Sequence, residues 1–216
     1  MQLKGKKVLI LGDSITEGVG VSSTEKRYAD VFAKMTECRV LNYGICGTRY
    51  AKKRIPSAKP EYDQDFISRV EKMEPGADIV VVFGGTNDFA HGDAPLGNFE
   101  DRDPYTFYGA CHVLYSALIE KYPEAVIVIL TPLHRREEEN TVNELGMPCE
   151  KLSEFVKAEK ETAEYYSLPV LDLFAVSGLQ PAIPVICEKY MRDGLHPTDA
   201  GAKRIAERLK GFLESL

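Results

Sequence analysis

The chain has 216 residues, of which 44% are hydrophobic and 28% charged, and a formal net charge of −6. That is enough for one compact α/β domain over residues 1–216 and too little for two comfortable ones. The acidic balance speaks against a nucleic-acid partner, whose phosphates need a basic footprint, and against electrostatic docking on an anionic membrane.

In chain order, the apolar run Lys7–Leu11 reads as a strand buried on both faces that stops at the turn Gly12-Asp13-Ser14. Helical spacing follows over about Lys26–Glu37, then a second strand, Arg39–Tyr43, which runs into Gly44-Ile45-Cys46-Gly47-Thr48. The stretch Thr48–Tyr62 fits neither period and reads as a loop; Asp63–Met73 is helical. The third strand, Ile79–Phe83, ends at Gly85-Thr86-Asn87-Asp88, and a second loop covers Phe89–Pro104. Helix Tyr105–Lys121, strand Val126–Leu130, helix Glu150–Tyr166, strand Val170–Leu173 and helix Asp199–Leu216 complete the alternation, with Thr198 as N-cap of the last helix. Strict β-α alternation predicts a parallel sheet with right-handed crossovers and helices on both faces, and a five-stranded flavodoxin-like order, 2-1-3-4-5, is the topology expected. The loops at the carboxyl edge of such a sheet are where substrate contacts belong.

The five cysteines, Cys38, Cys46, Cys111, Cys149 and Cys187, contain no CxxC pair, so neither a zinc site nor a disulfide framework is signalled. The N-terminal residues run straight into the first strand, and no stretch approaches transmembrane length. A reduced, cytoplasmic protein that does not enter membranes is the expectation, with homo-oligomerisation left open.

Four polar blocks fall at strand or helix edges: Gly12-Asp13-Ser14, the glycine pair Gly44 and Gly47, Gly85-Thr86-Asn87-Asp88, and Asp193-Gly194-Leu195-His196. Acyl transfer needs a nucleophile, a base, a group that orients the base and donors aimed at the oxyanion. Ser14, His196 and Asp193 fit the first three roles; the Ser14 and Gly47 backbone N–H groups and the Asn87 amide fit the last. In this order and spacing the blocks resemble the SGNH hydrolase superfamily, the GDSL lipase/esterase family. The resemblance implies a three-layer α/β/α fold and a serine esterase mechanism that needs no metal or cofactor. It also assigns Ser14 as nucleophile, Asp193 and His196 as the rest of the triad, and Gly47 and Asn87 as oxyanion donors. One departure is Ile15, where the family's pattern has leucine.

Simpler readings accompany these. Ser14 could cap a helix starting near Ile15, and Asn87 could be a turn residue. Asp13 and Asp88 read as strand-end carboxylates that accept backbone N–H bonds, Gly44 as a backbone-conformation residue, Cys46 as a small buried filler and His112 as packed or surface. Arg49, Phe89, His91 and His134 are candidates for substrate contact, and Phe99 could wall an acyl or sugar pocket beside Phe89. Arg135-Arg136-Glu137-Glu138-Glu139 reads as a solvated loop. The leading expectation is an esterase for small acyl esters, with a small-molecule ester or an acetylated sugar as partner. A metal-dependent phosphoesterase using Asp13, Asp88 and Asp193, and a non-catalytic anion- or sugar-binding module, are the alternatives.

Overall fold

The computed structural model describes residues 1–57 and 60–216, with the side chains of Glu61 and Tyr62 set aside. Its strands are β1 (Lys7–Gly12), β2 (Arg39–Gly44), β3 (Ile79–Phe83), β4 (Val126–Leu130) and β5 (Val170–Leu171). They form one parallel sheet in the order β2-β1-β3-β4-β5. The helices among the described residues are α1 (Ser14–Glu17), α2 (Tyr28–Thr36), α3 (Phe66–Val70), α4 (Thr86–His91), α5 (Phe107–Lys121), α6 (Leu152–Tyr165), α7 (Leu173–Val176), α8 (Pro184–Tyr190) and α9 (Asp199–Ser215). None is long and apolar enough to cross a membrane.

The strand period of two sorts the core into two layers. Leu9, Leu11, Val80, Val82, Ile127 and Ile129 pack with Phe66, Phe107, Leu114 and Phe155, so α3, α5 and α6 cover one face. Val8, Ile10, Val81, Phe83, Val128 and Leu130 pack with Phe32, Ile205, Leu209 and Leu213, so α2 and α9 cover the other. This is the expected three-layer α/β/α arrangement.

Several boundaries differ from the sequence reading. The fifth strand stops at Leu171, because the Asp172 side chain accepts the Ala175 N–H and starts α7. The helix expected over Lys26–Glu37 is a 3₁₀ turn, Thr24–Lys26, followed by α2, with Arg27 extended between them. The helix expected over Asp63–Met73 shrinks to α3, capped by the Asp65 carboxylate on the Ser68 N–H. The first four residues of the segment read as the loop Phe89–Pro104 lie in or next to α4. Of the loop Thr48–Tyr62, residues 58 and 59 lie outside the described residues.

The strand order decides where a site can form. The chain leaves β1 toward β2 on one side and β3 toward β4 on the other, which opens a crevice at the carboxyl ends of β1 and β3. Gly12 is level with Gly44 on one side and with Phe83 on the other. The segments that follow carry Ser14, Gly47 and Asn87, and they therefore surround one point.

Candidate active site

Ser14 is the first residue of α1. The cap of that helix is Asp13, whose carboxylate accepts the Ile15 N–H at 3.0 Å. The capping reading of Ser14 therefore gives way, and its hydroxyl is left for other work. The turn is close-packed: a Cβ at Gly12 would meet Thr16 Oγ1 at 2.0 Å, and one at Gly44 would meet the Glu17 N at 2.1 Å. Only glycine lets α1 sit this tightly on two strand ends.

The loop between α8 and α9 brings the base. His196 Nε2 lies 3.0 Å from Ser14 Oγ, and His196 Nδ1 lies 2.7 Å from Asp193 Oδ2. A carboxylate only accepts, so Nδ1 carries the proton and Nε2 is free to accept from the serine hydroxyl. Asp193 Oδ1 also accepts the backbone N–H groups of Leu195 and His196, at 2.9 and 2.7 Å. Burial alone would raise the Asp193 pKa; the His196 hydrogen bond and these two N–H groups outweigh it and hold the carboxyl below its ordinary value. Gly194, at φ 82°, lets the chain turn between the two residues.

Gly47 stands at φ 74°, a left-handed conformation that favours glycine, in the loop after β2. Asn87 Nδ2 donates to the Thr48 carbonyl at 2.9 Å, which fixes the amide and leaves its second N–H to donate elsewhere. Arg69, which sequence reasoning did not single out, ties these pieces together. Its guanidinium donates to the Gly12 carbonyl at 3.1 Å, to Thr48 Oγ1 at 2.8 Å and to the Tyr43 carbonyl. Burial pushes its pKa down to about 10 against the pull of Asp13 and Asp65. Asp88 accepts the Tyr50 and Ala51 N–H groups at 3.0 and 2.9 Å, as expected of a strand-end carboxylate.

A cavity of about 500 Å³ opens beside these groups. Ser14, Gly47, Asn87 and His196 line it, as do Arg49 and His91. Phe89 and His134 do not. Phe89 is buried in the core against Phe155, and its ring carries the Arg135 guanidinium 5.4 Å above it. His134 stacks on Phe174 at 3.8 Å and bonds Glu138 at 2.9 Å. Both therefore leave the list of candidate contacts for a packing reason. Phe99 packs on Tyr108, His112 and Tyr165, away from the cavity. His112 is indeed packed, its Nε2 donating to the Phe99 carbonyl at 2.9 Å. Two readings made too little of their residues: Cys46 is half-buried and lines the cavity, and so does the buried Arg135, whose run was read as wholly solvated. No local signal marks Arg135, because its burial comes from Phe89 and Thr86, far away in sequence.

The family model for GDSL-like lipases and acylhydrolases matches residues 10–204. The chain belongs to the GDSL-like lipase/acylhydrolase family. A protein from Lactobacillus plantarum of known structure is 30% identical, with a TM-score of 0.82 over 99% of this chain and 98% of the other. Another solved structure is 31% identical, with a TM-score of 0.86 over 100% and 99%. The lipase/acylhydrolase from Enterococcus faecalis shares the fold at 21% identity, with a TM-score of 0.66 over 97% and 96%. No curated protein matches the sequence. The protein is thus a hydrolase with the fold of this family.

Proposed function

We propose that this hydrolase is a serine esterase that cleaves small acyl esters through an acyl-enzyme, with acetyl groups on carbohydrate among the candidate substrates. The observation that carries the reading is the relay from Ser14 Oγ through His196 to Asp193, at 3.0 and 2.7 Å, on the wall of the cavity. In this reading Ser14 Oγ attacks the ester carbonyl carbon while His196 Nε2 takes the hydroxyl proton. Asp193 holds the ring and stabilises the imidazolium without taking a proton itself. The tetrahedral oxyanion is met by the Ser14 and Gly47 N–H groups and by the Asn87 amide. Collapse expels the alcohol, which leaves with the proton from Nε2. Water then repeats the sequence on the acyl-serine, giving the acid and restoring the hydroxyl.

A volume of about 500 Å³ is within the range of small-molecule sites and supports a small ester. The metal-dependent alternative loses support from its own ligands, since Asp88 spends both oxygens on backbone N–H groups and Asp193 is bound to His196. A fluorophosphonate probe tests the proposal, because only an activated serine reacts with it. Labelling mapped by peptide sequencing to Ser14, and blocked by His196→Ala, is the expected result. An unlabelled Ser14 in folded protein removes the esterase and leaves the binding-module alternative.

A further inference from the structure

Three buried arginines, Arg49, Arg69 and Arg135, lie close to the site, and the first two spend their donors differently. Arg69 gives its guanidinium to the Gly12 and Tyr43 carbonyls and to Thr48 Oγ1. That is what an arginine with a structural duty does. Arg49 is 1% exposed and lines the cavity. Its Nη1 is anchored to the Gly47 carbonyl and to His91 Nδ1, both at 3.3 Å. Its Nε and Nη2 have no hydrogen-bond partner among the described residues. Those two nitrogens form one edge of the guanidinium, a pair of parallel N–H donors that matches a carboxylate or a phosphate. Leaving such an edge unused in a buried place is costly, so it needs a reason. Asp88, the nearby carboxylate, does not supply one, because both its oxygens serve the Tyr50 and Ala51 N–H groups.

With Arg49 counted, cations outnumber carboxylates around the cavity. Lys53 and Arg135 line it with Arg49, against two carboxylates among the described lining residues, Asp63 and Glu144. Neither carboxylate makes a close ion pair with these cations: Asp63, whose Oδ2 accepts the Ser57 N–H at 2.8 Å, stands 3.8 Å from Lys53, and the exposed Glu144 stands 3.4 Å from Arg135. The three cations also act on one residue of the cavity wall. His91 has its pKa pushed down to about 4, first by burial and then by Arg49 and Lys53, with Arg135 adding to them. A cation-lined cavity in a chain of net charge −6 is a local exception. Burial of Arg49 strengthens it, since a charge away from water is screened less.

We infer that the esters this enzyme takes carry an anionic group, a carboxylate or a phosphate, which the Arg49 edge binds with Lys53 and Arg135 around it. The inference rests on the esterase reading and adds the substrate class. The anion sits in the part of the cavity lined by Arg49 and His91 while the ester carbonyl lies at Ser14. Arg49 is then a specificity residue that touches substrate without touching the reacting atoms.

The test uses matched ester pairs that differ by one anionic group. One pair places a carboxylate on the acyl side, 4-nitrophenyl hydrogen glutarate against 4-nitrophenyl valerate. A second places it on the alcohol side, O-acetyl-lactate against O-acetyl-lactamide. A third uses a phosphate, acetylglycerol phosphate against acetylglycerol. At least one anionic member is expected to exceed its neutral partner in kcat/KM by roughly 10- to 100-fold, the range of a charge-assisted pair. Arg49→Gln is expected to bring that ratio near one, mainly through KM, and Lys53→Gln to lower it by less. Which pair responds identifies the anion and its side of the ester. Inorganic phosphate and glutarate are also tested as competitive inhibitors of the wild-type enzyme, which needs no variant to fold. Ratios near or below one in every pair with no inhibition by either anion overturn the inference, as does a preference that survives Arg49→Gln. Failure of the esterase reading looks different: Ser14 is unlabelled by phosphonate and no ester turns over. Calorimetric titration of glutarate and phosphate into wild type and Arg49→Gln still decides the anion site in that event, with binding lost in the variant expected and absence of binding to wild type decisive against it.

Discussion

His196 and His91 line the same cavity, yet their neighbours have opposite charge. His196 faces the Asp193 carboxylate at 2.7 Å. His91 faces the Arg49 guanidinium at 3.3 Å, and its pKa is pushed down to about 4 by burial and by that charge. A base that must carry a proton through a transition state needs a negative neighbour, and a binding wall for an anion needs positive ones. Residue type alone does not distinguish the two histidines; the sign of the partner does. The cavity thus has a wall suited to moving protons and a wall suited to holding charge.

The comparison breaks most sharply at Ser14. Ser14→Ala is expected to cost on the order of 10⁶-fold in kcat, leaving what binding and oxyanion stabilisation supply. Turnover by protein purified free of host esterase checks it, and retention of more than about one per cent of the rate would place the nucleophile elsewhere, against the reasoning for triads. Next comes the charge that distinguishes the proton-moving wall. Asp193→Asn keeps the shape, removes the negative neighbour and allows the wrong imidazole tautomer, so kcat should fall by about 10⁴-fold, as it does for the same change in serine proteases. A wild-type rate in this variant would mean that the contrast between the two histidines has no catalytic weight.

Asn87→Ala sharpens the picture between the walls. An oxyanion donor acts on charge that appears only in the transition state, so kcat should fall by roughly 10²–10³-fold with KM nearly unchanged. Steady-state kinetics on one neutral ester separates the two constants. An unchanged kcat would return Asn87 to the role of a turn residue that donates to the Thr48 carbonyl.

The proton-moving wall was far more legible in the sequence than the anion-binding wall. Ser14, Asp193 and His196 sit in short blocks beside strongly patterned strands and helices, and the parallel sheet follows from β-α alternation, with the flavodoxin-like order a further expectation that the structure shows. Proximity at one sheet edge could therefore be anticipated. Arg49 was visible as a residue after β2, but its unpartnered edge is a three-dimensional fact. Arg135 and Phe89 exchanged expected places: the charged residue lines the cavity and the aromatic one lies in the core beneath it. Nothing local decides that, because the partners of each come from other elements. The short helices α7 and α8 were missed for a related reason. Each is only one or two turns long and carries too few residues to show a period.

The smallest effect comes from beneath both walls, where Asp13 and Asp88 are buried together. Burial pushes Asp13 up to about 7, with the Ile15 N–H opposing and Asp88 adding to the rise. Asp88 is pushed up to about 6 by burial, against the Ala51 and Tyr50 N–H groups and Arg49. In the unfolded chain both carboxyls lose their protons near the ordinary value of 3.8. Between the two values the folded state holds protons that the unfolded state has released, so these groups lower stability as pH rises. His91 acts in the opposite direction. Its folded value of about 4 lies below its ordinary 6.5, so it lowers stability as pH falls through that window. Buried His112 is shifted the same way. Above about pH 6.5 the histidines contribute little, and buried carboxyls set the slope: Asp13 titrates in this range, and Glu159, pushed well above its ordinary value by burial, adds to it. Lowering the pH from about 8 to about 6.5 should therefore raise the unfolding midpoint, with roughly 2–3 °C of the rise coming from Asp13, after which opposing histidine contributions flatten the curve. Asp13→Asn keeps an oxygen for the Ile15 N–H and removes its titration, so the Asp13 part of the rise should be lost in that variant, leaving what Glu159 and Asp88 contribute. Calorimetric scans across that range decide it. A midpoint that falls between pH 8 and 6.5 in the wild type, or rises equally in Asp13→Asn, would show that Asp13 is ionised in the folded enzyme at both pH values.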